Sequence, residues 1–384
     1  MTNLQTTTYS SVSDIDANYW STINPIKNTY FSPDFLMAFE NSNPNIKFKY
    51  IIVKNNIEAL AIALVQTIEL NVDVILKNIR LPNFLRRFLH SLFCNDHIHI
   101  MFCGNIFLSG EHGILINPEA NKNNVIKAIG LELNTIAKQT KPLHAIFVKD
   151  FIEDSRQYTD QLENHGFIPM HVEPNMIIAL DKNWESFDDY KKALKSKYRV
   201  KVNKADKTSS KLEVRLFTET DFATYKDELQ KLYENTIANA NFNAQVLNLN
   251  TYIALRKTYQ ENFIVKAYFL EGKLVGFLSA LANNHHLDAH FIGLDYSLNK
   301  ECAIYPRILN DYVRLGIEKN ANYINFGRTA SEIKTTVGAA PTELTCYIKH
   351  KRPFINALIK PFIKRIQIKE FKQHFPFKNK KEAK

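Results

Sequence analysis

The chain has 384 residues, of which 45% are hydrophobic, including 26 Phe and 17 Tyr. This length predicts two or three domains, and the apolar content excludes wholesale disorder. The formal net charge of +10 resides in residues 349–384, which contain twelve Lys/Arg and two Glu, so the rest of the chain is neutral.

The cysteines and the apolar segments of the chain indicate where in the cell the protein is found. Cys94, Cys103, Cys302 and Cys346 are few and scattered, which is typical of a reducing environment. Residues 1–21 are polar and lack the pattern of a secretory signal. Charged residues interrupt the longest apolar region, 57–76, which therefore cannot span a bilayer. We expect a cytoplasmic protein, soluble or peripheral at the inner membrane face.

The first half predicts a mixed order of helices and strands. Ser32-Pro33-Asp34 begins a helix, with Ser as N-cap and Pro at the first helical position. Asn55-Asn56 is a turn dipeptide. The further predictions are strands 48–54, 59–70 and 97–102, a glycine-rich bend over 103–113, helix 124–139, strand 143–148, helix 154–164 closed by Gly166, and strand 176–180.

The second half repeats this order without evident residue identity. A charged helical segment, 184–208, joins the halves, and Glu271-Gly272-Lys273 predicts a hairpin turn. Alternation of helices and strands favours an α/β or α+β architecture. The predicted elements are helices 229–239 and 251–260, strands 263–270, 274–282 and 286–294, helix 303–319, and strands 323–326 and 344–348.

The most informative passage runs from Tyr323 to Gly338, with the sequence Tyr-Ile-Asn-Phe-Gly-Arg-Thr-Ala-Ser-Glu-Ile-Lys-Thr-Thr-Val-Gly. Charged side chains just past a buried strand are typical of a crevice that binds a ligand. The passage resembles the closing segment of the FemAB/FemX-like acyltransferases, peptidoglycan-bridge enzymes built from two GNAT-like (N-acyltransferase) domains. Residues 184–204 are similar to that family's inter-domain passage.

The resemblance implies a fold class of α/β (α+β), with two tandem GNAT-like domains, each a mixed twisted sheet flanked by helices. We place an N-terminal domain at 22–181, a basic helical linker at 182–208, a C-terminal domain at 209–350 and a basic amphipathic tail at 351–384. The second domain is expected to carry the site, and the first to shape the cleft without catalysis.

Strand 286–294 supplies a candidate base. Asp288 and His290 share one face by strand alternation, and Gly293 is predicted to mark a β-bulge. The unperturbed pKa of histidine lies near neutrality, which suits His290 to proton abstraction. The alternative is a histidine satisfied within the core or at a sheet edge.

The resemblance assigns further roles. Tyr305 matches the Tyr that opens the corresponding helix of the family and is expected to act on the leaving group; simple packing is the alternative. Lys334 joins His290 and Tyr305 as catalytic, and Arg328 and Glu332 are expected to bind substrate. The alternative is that Arg328, Glu332 and Lys334 form ion pairs on the surface and have no role in the site. The substrate-binding set also includes Asp295 and Arg307, the latter being equally consistent with a solvated helix residue.

The donor is expected to be acyl-CoA, with aminoacyl-tRNA as the alternative. The turn 297–302 contains no glycine, unlike the pyrophosphate loop of ordinary GNAT domains, and this puts coenzyme A binding in doubt. No metal is expected, because Cys94, His97, His99 and Cys103 lack the spacing of a zinc knuckle. Nucleophile-elbow, P-loop and dinucleotide motifs are absent.

Two basic segments suggest partners. The cluster between Lys191 and Lys207 would suit tRNA or would be a solvated helix face. In the tail, Phe354, Leu358, Phe362 and Ile366 lie four residues apart among Lys and Arg. This pattern is typical of a helix on an anionic membrane surface, and docking on the protein body is the alternative.

These observations predict an acyltransferase that moves an acyl or aminoacyl group onto an amine, carried by a small molecule or a lipid-linked acceptor, in cell-envelope or peptidoglycan-related biosynthesis. A non-catalytic membrane-surface binding protein of the same fold is the first alternative. An RNA-binding protein is the second, although no RNA-module motif supports it.

Overall fold

The computed structural model describes residues 4–71, 97–239, 245–366, 368 and 370–378. The chain forms two compact units, each assembled from separate stretches of sequence. Unit 1 consists of residues 1–173, 241–247 and 343–368, and unit 2 of residues 174–240, 248–342 and 369–384.

Unit 1 is built on a mixed sheet. Its strands are β1 (Gln5–Tyr9), β2 (Lys47–Lys54), β3 (Ala59–Asn71), β4 (His97–Cys103), β5 (Ile114–Ile116), β6 (Ala145–Ile152), the start of β7 (Ile168–Ala179) and most of β13 (Ala340–His350). Its helices are α1 (Tyr19–Ile23), α2 (Pro33–Ser42), α3 (Lys122–Gln139), α4 (Arg156–Thr159) and α12 (Pro353–Ile363).

The sheet of unit 1 has the order β1-β2-β3-β4-β6-β13, with β5 paired to β3. Strands β4 and β6 pair in parallel, and the helix α3 supplies the crossover that a parallel pair requires. The apolar stripe of α3 is buried with residues of the sheet, for example Val125 and Ile129 with Ile51 and Met101. Burial of this stripe stabilises the helix on the sheet.

Unit 2 repeats this plan. Its strands are the end of β7, β8 (Glu213–Leu216), β9 (Phe263–Leu270), β10 (Lys273–Asn283), β11 (His286–Leu294) and β12 (Tyr323–Asn325). Its helices are α5 (Phe187–Ala193), α6 (Ser196–Thr208), α7 (Glu219–Ala238), α8 (Asn250–Tyr259), α9 (Tyr296–Cys302), α10 (Ile304–Glu318) and α11 (Ser331–Thr335).

The sheet of unit 2 has the order β7-β12-β11-β10-β9-β8. Strands β11 and β12 pair in parallel, with α9 and α10 in the crossover between them. Tyr312 and Leu315 of α10 are both buried. The core of unit 2 also contains Val275 and Leu287 from the sheet.

Each half of the chain contributes a strand to the sheet that is built mainly from the other half. The strand after β6 is β7, whose end pairs with β12 of unit 2. The strand after β12 is β13, which pairs with β6 of unit 1. Each unit therefore contains residues from both halves of the chain, unlike the contiguous domains 22–181 and 209–350 that the sequence predicts.

The expected leader and linker are parts of the units. Residues 5–9 form β1, which pairs with β2, so that ordered structure begins well before residue 22. The segment 182–208 belongs to unit 2 because Tyr190, Leu194 and Tyr198 are buried in its core. The charged residues of this segment do not separate it from the domain, since its apolar residues recur at helical spacing.

The basic tail is not one amphipathic element. Helix α12 belongs to unit 1, whereas the end of the tail belongs to unit 2. There Phe377 packs against Trp184 and Tyr190, at ring-centroid distances of 5.5 and 6.0 Å. The backbone of the tail bonds to the α5–α6 region, where Lys195 N donates to Pro376 O at 2.8 Å. Among the described helices, none has the length and apolar character needed to cross a bilayer.

Candidate active site

The parallel strands β11 and β12 of unit 2 pair over a short distance. Their ladder joins three residue pairs and ends at Asp288↔Asn325, where β12 stops. Strand β11 continues from there to Leu294. Ligands of open α/β sheets bind outside the carboxyl ends of parallel strands, so this end of the pair is the candidate site.

A β-bulge in β11 lies just beyond that point. His290 and Phe291 together oppose Ser279 of β10. The Ser279 hydroxyl donates to Phe291 O and accepts from Phe291 N, both at 2.9 Å, and it bonds to the Tyr252 hydroxyl at 2.6 Å. The serine side chain thereby takes over backbone bonds that the bulge removes from the ladder.

The predicted position of the bulge, Gly293, was wrong. Gly293 pairs regularly with Phe277 of β10. A Cβ atom on Gly293 would lie 2.3 Å from Phe277 Cε1 and 2.7 Å from the backbone carbon of Leu232. The close approach of the Phe277 ring and of α7 to the strand therefore requires glycine at this position.

Asp288 and Asn325 form the polar end of the ladder. The Asp288 side chain is buried, and its carboxylate lies 3.2 Å from His286 Nε2 and accepts from Asn325 Nδ2 at 3.1 Å. Asn325 Oδ1 accepts from Gly327 N at 3.0 Å. The predicted site included neither residue, although the sequence analysis placed Asp288 on one face with His290. Asn325 is a polar residue at the last position of β12, which is the signal that could have marked it.

The turn after β12 has an unusual backbone. Gly327, Thr329 and Ala330 have φ angles of 67°, 65° and 49°. For a residue other than glycine, this region costs roughly 1–2 kcal/mol. Non-glycine residues in such conformations are often found at functional sites, where the surrounding structure holds them.

Lys334 holds this turn. Its side chain is 6% exposed, and Nζ donates to the carbonyl oxygens of Phe326, Gly327 and Arg328 at 2.8, 3.3 and 2.6 Å. An ammonium group has three N–H donors, which these three carbonyls match. The geometry favours a positioning role for Lys334 over the predicted catalytic one.

The other charged residues predicted in this passage differ in exposure. Arg328 is half-buried within the turn itself. Glu332 lies on α11 with 58% of its side chain exposed, and its carboxylate is 3.7 Å from His374 Nε2. Lys334 thus places the backbone of Arg328, while Glu332 lies on the solvent side.

His290 and Tyr305, the two residues predicted to transfer protons, are both half-buried in unit 2. His290 is half-buried, with its ring centroid 6.1 Å from that of Phe263. Tyr305 lies in the first turn of α10 and is half-buried. Burial, with a smaller contribution from Tyr296, raises the pKa of the Tyr305 hydroxyl well above its ordinary value. The hydroxyl therefore keeps its proton at physiological pH, and the raised pKa makes it a weaker acid than an exposed tyrosine.

Asp295 and Arg307 have structural partners. Asp295 caps α9 and accepts from Ser297 N at 3.0 Å and Ser297 Oγ at 2.5 Å, bonds that lower the pKa of its carboxyl. Arg307 Nε donates at 3.0 Å to Asp311, whose buried carboxylate also accepts from Arg314. These bonds give both predicted substrate-binding residues a role in the fold itself.

The segment expected to be a glycine-free turn is helical. Residues 296–302 form α9, and Ala303 links it to α10 with a φ of 49°. At the start of α10, Tyr305 N already donates to Asn299 Oδ1 at 2.9 Å, and Pro306 has no N–H. Anions bind helix N-termini through unpaired N–H groups, so this terminus offers few donors to a pyrophosphate.

In unit 1, the carboxyl end of the parallel pair β4–β6 is covered by the loop that follows β4. Strand β4 ends at Cys103, and β6 continues to Ile152. Lys149 Nζ of β6 donates to the carbonyls of Asn105 and Leu108 at 2.6 and 2.9 Å. These contacts hold the glycine-containing bend against the strand.

The histidines near β4 pair with a carboxylate. His97 Nδ1 and His99 Nε2 lie 3.2 and 3.6 Å from the two oxygens of Glu69. Within the described residues, no group of three or more His, Cys, Asp or Glu is arranged to hold a metal ion. Cys94, weighed with these residues in the sequence, lies outside the described part of the chain.

The basic cluster of residues 191–207 lies on α5 and α6. The helices bury Tyr190 and Tyr198 and leave Lys197 and Lys201 exposed. The ammonium groups of both lysines lie 5.8 Å from the centroid of the Tyr198 ring. The cluster is thus the polar face of a docked helix.

Comparison with known proteins identifies the fold. No family model matches the sequence, and no curated protein matches it significantly. The chain aligns over 93% of its length with all of FemX, at 12% identity and a TM-score of 0.55. It aligns over 91% with 99% of a tandem GNAT protein from the clavulanic acid biosynthesis pathway, at 8% identity and a TM-score of 0.55.

A third similar structure is the C-terminal domain of a putative lysylphosphatidylglycerol synthetase from Agrobacterium fabrum. The chain matches 97% of it over 92% of its own length, at 8% identity and a TM-score of 0.52. These likenesses confirm the predicted fold. The chain has the tandem GNAT fold, as FemX does.

Proposed function

We propose that the protein is an N-acyltransferase that transfers an acyl or aminoacyl group to an amine at the carboxyl end of β11 and β12. The observation that supports this proposal best is that the parallel β11–β12 ladder ends at the pair Asp288↔Asn325. A polar, rigid turn at the end of a parallel pair offers fixed hydrogen-bonding groups next to a crevice. The tandem GNAT fold supports the class of reaction.

The chemistry requires two proton transfers. The acceptor amine attacks the donor carbonyl, a C–N bond forms, and His290 takes the proton that the amine loses. The tetrahedral intermediate then collapses, the bond from carbon to the sulfur or oxygen of the leaving group breaks, and Tyr305 protonates that atom. Arg328 binds an anionic part of the acceptor.

The acceptor in this proposal is a small-molecule or lipid-linked amine of cell-envelope biosynthesis, and the donor is acyl-CoA or aminoacyl-tRNA. The occupied N–H positions at the start of α10 favour a donor that does not place a pyrophosphate there. The same observation favours the second candidate, a non-catalytic binding protein of this fold.

Thermal unfolding with candidate donors tests the proposal. The purified protein is heated with acetyl-CoA, longer acyl-CoAs, and charged or uncharged tRNA. A ligand at 100 times its Kd stabilises the folded state by about 2.7 kcal/mol, which raises the Tm measurably. A shift with one donor class identifies the donor, and no shift with any of them contradicts catalysis in favour of the binding protein.

Substitution of the base provides the second step of the test. His290→Ala is expected to lower the rate of transfer by about 10²–10⁴-fold while the donor still raises the Tm. His285→Ala is the matched control, because His285 is exposed in the turn that precedes the same strand. Equal rates for the two variants would exclude His290 as the base.

A further inference from the structure

Helix α12 of unit 1 has two neighbouring apolar faces that differ in exposure. Ile363 is 8% exposed, and Ile359 and Ile355, one and two turns before it, are half-buried. Phe354, Leu358 and Phe362 lie four residues apart on the adjoining face and are 79%, 38% and 42% exposed. One apolar face is thus largely buried and the other is open to solvent.

The helix is fixed in this orientation by hydrogen bonds. Asn356 Nδ2 donates to Gly166 O at 2.8 Å, and Asn356 Oδ1 accepts from His350 N at 2.8 Å. Asn356 lies on α12 and both partners lie elsewhere in unit 1, so these bonds hold the helix in the orientation that exposes the stripe. The stripe is a fixed feature of the surface.

The surroundings of the stripe are basic. No acidic residue occurs between Glu343 and Glu370 in the sequence. Arg352 precedes the helix, Lys360 lies on it, and Lys364 and Arg365 follow it, all exposed. Exposed Phe and Leu flanked by Lys and Arg complement a surface that is apolar below and negatively charged above, as an anionic bilayer is.

We propose that α12 docks the protein on an anionic lipid bilayer. Phe354, Leu358 and Phe362 enter the boundary between headgroups and acyl chains, and the flanking basic side chains contact the headgroups. A nucleic acid fits less well, because the central side chain of the stripe is aliphatic and cannot stack on a base. The inference is independent of the proposed reaction and stands or falls separately.

Vesicle sedimentation tests the inference with the full chain. We expect binding to vesicles in which about a third of the lipid is phosphatidylglycerol, and little binding to phosphatidylcholine alone. The variant Phe354→Ser/Leu358→Ser/Phe362→Ser should lose this binding. Neutralising Lys360 and Lys364 with Gln should weaken it by about fivefold per charge removed.

A matched control separates the stripe from general surface hydrophobicity. Ile57, Val200 and Leu216 are exposed by 92%, 61% and 62% elsewhere on the surface. The triple Ser variant of these residues should bind vesicles as the unchanged protein does. Donor-induced Tm shifts measured on both triple variants should remain equal, which distinguishes failure of docking from failure of the proposed catalysis.

Four results would overturn the inference. They are no binding to either vesicle, equal binding to both lipid compositions, undiminished binding by the α12 variant, and a dimer in light scattering that the α12 substitutions dissociate. The last result would assign the stripe to a second copy of the chain. Tm and circular dichroism confirm that each variant is folded.

Discussion

Lys334 is a buried charge whose hydrogen bonds explain its presence. Its ammonium group binds three successive carbonyls in a turn that contains left-handed residues. A lysine whose donors are all engaged with the backbone is poorly placed to act on a substrate as well. The residue shapes the site by fixing the turn that carries Arg328.

Replacing Lys334 by Met should destabilise unit 2. The substitution keeps the apolar stem and leaves three carbonyls without their donor, so we expect the free energy of unfolding to fall by about 1–3 kcal/mol. Urea denaturation measures the change. Glu332→Gln, an exposed neighbour on the same helix, should stay within about 0.5 kcal/mol of the unchanged protein.

The opposite pattern would restore the catalytic role. If Lys334→Met unfolds at the original urea concentration but transfers no acyl group, the lysine acts on the substrate rather than on the turn. The sequence identifies Lys334 as important because it follows a buried strand. It does not distinguish the two roles, because the acceptors are backbone carbonyls, which every residue has.

At the scale of elements, regular patterns were predicted well and irregular ones were not. Strand β11 has the predicted bounds, and Gly166 ends its helix in the left-handed conformation. The bulge of β11 was misplaced because it forms opposite Ser279 on the neighbouring strand, whose side chain bonds to the bulged backbone. Helix α9 was predicted as a turn, since its seven residues show little apolar periodicity.

Ser279→Ala should disturb the bulge and with it the position of His290. The substitution leaves the Phe291 N–H without its side-chain acceptor in a buried strand, which we expect to cost about 1–3 kcal/mol of unfolding free energy. Because His290 is part of the bulge, transfer activity should fall as well. Ser210→Ala, at an exposed serine, is the control for urea denaturation. Unchanged stability and activity would show that the serine is not needed to hold the bulge.

At the scale of the molecule, the sequence predicts two similar units in tandem. It does not predict that β7 pairs with β12 and β13 with β6. Hydrophobic patterns and turn residues predict which segments are strands, and the repeated order predicts two similar units. Pairing of β7 with β12 and of β13 with β6 depends on contacts between residues far apart in the sequence. A local pattern contains no information about such partners.

The pH dependence of stability should differ between the two units. Burial lowers the pKa of His144, His165 and His350, all in unit 1, below the ordinary value of about 6.5. His144 Nδ1 and His350 Nδ1 each accept a backbone N–H at 3.0 Å, which requires that nitrogen to be unprotonated. The unfolded chain therefore takes up protons before the folded unit does, and the stability of unit 1 falls as the pH drops through this range.

The two tryptophans allow each unit to be followed separately. Trp20 lies in unit 1 and Trp184 in unit 2, so Trp184→Phe leaves a probe of unit 1 and Trp20→Phe a probe of unit 2. Between about pH 7.5 and 6.0 the urea midpoint reported by Trp20 should decrease more than that reported by Trp184. Half-buried Glu111, whose pKa is raised chiefly by loss of hydration, acts in the opposite direction at lower pH. Changing His144 and His350 to Gln keeps an acceptor and removes their titration, so the Trp20 midpoint should then lose most of its pH dependence, with His165 responsible for the remainder. An undiminished dependence would assign the effect to other groups.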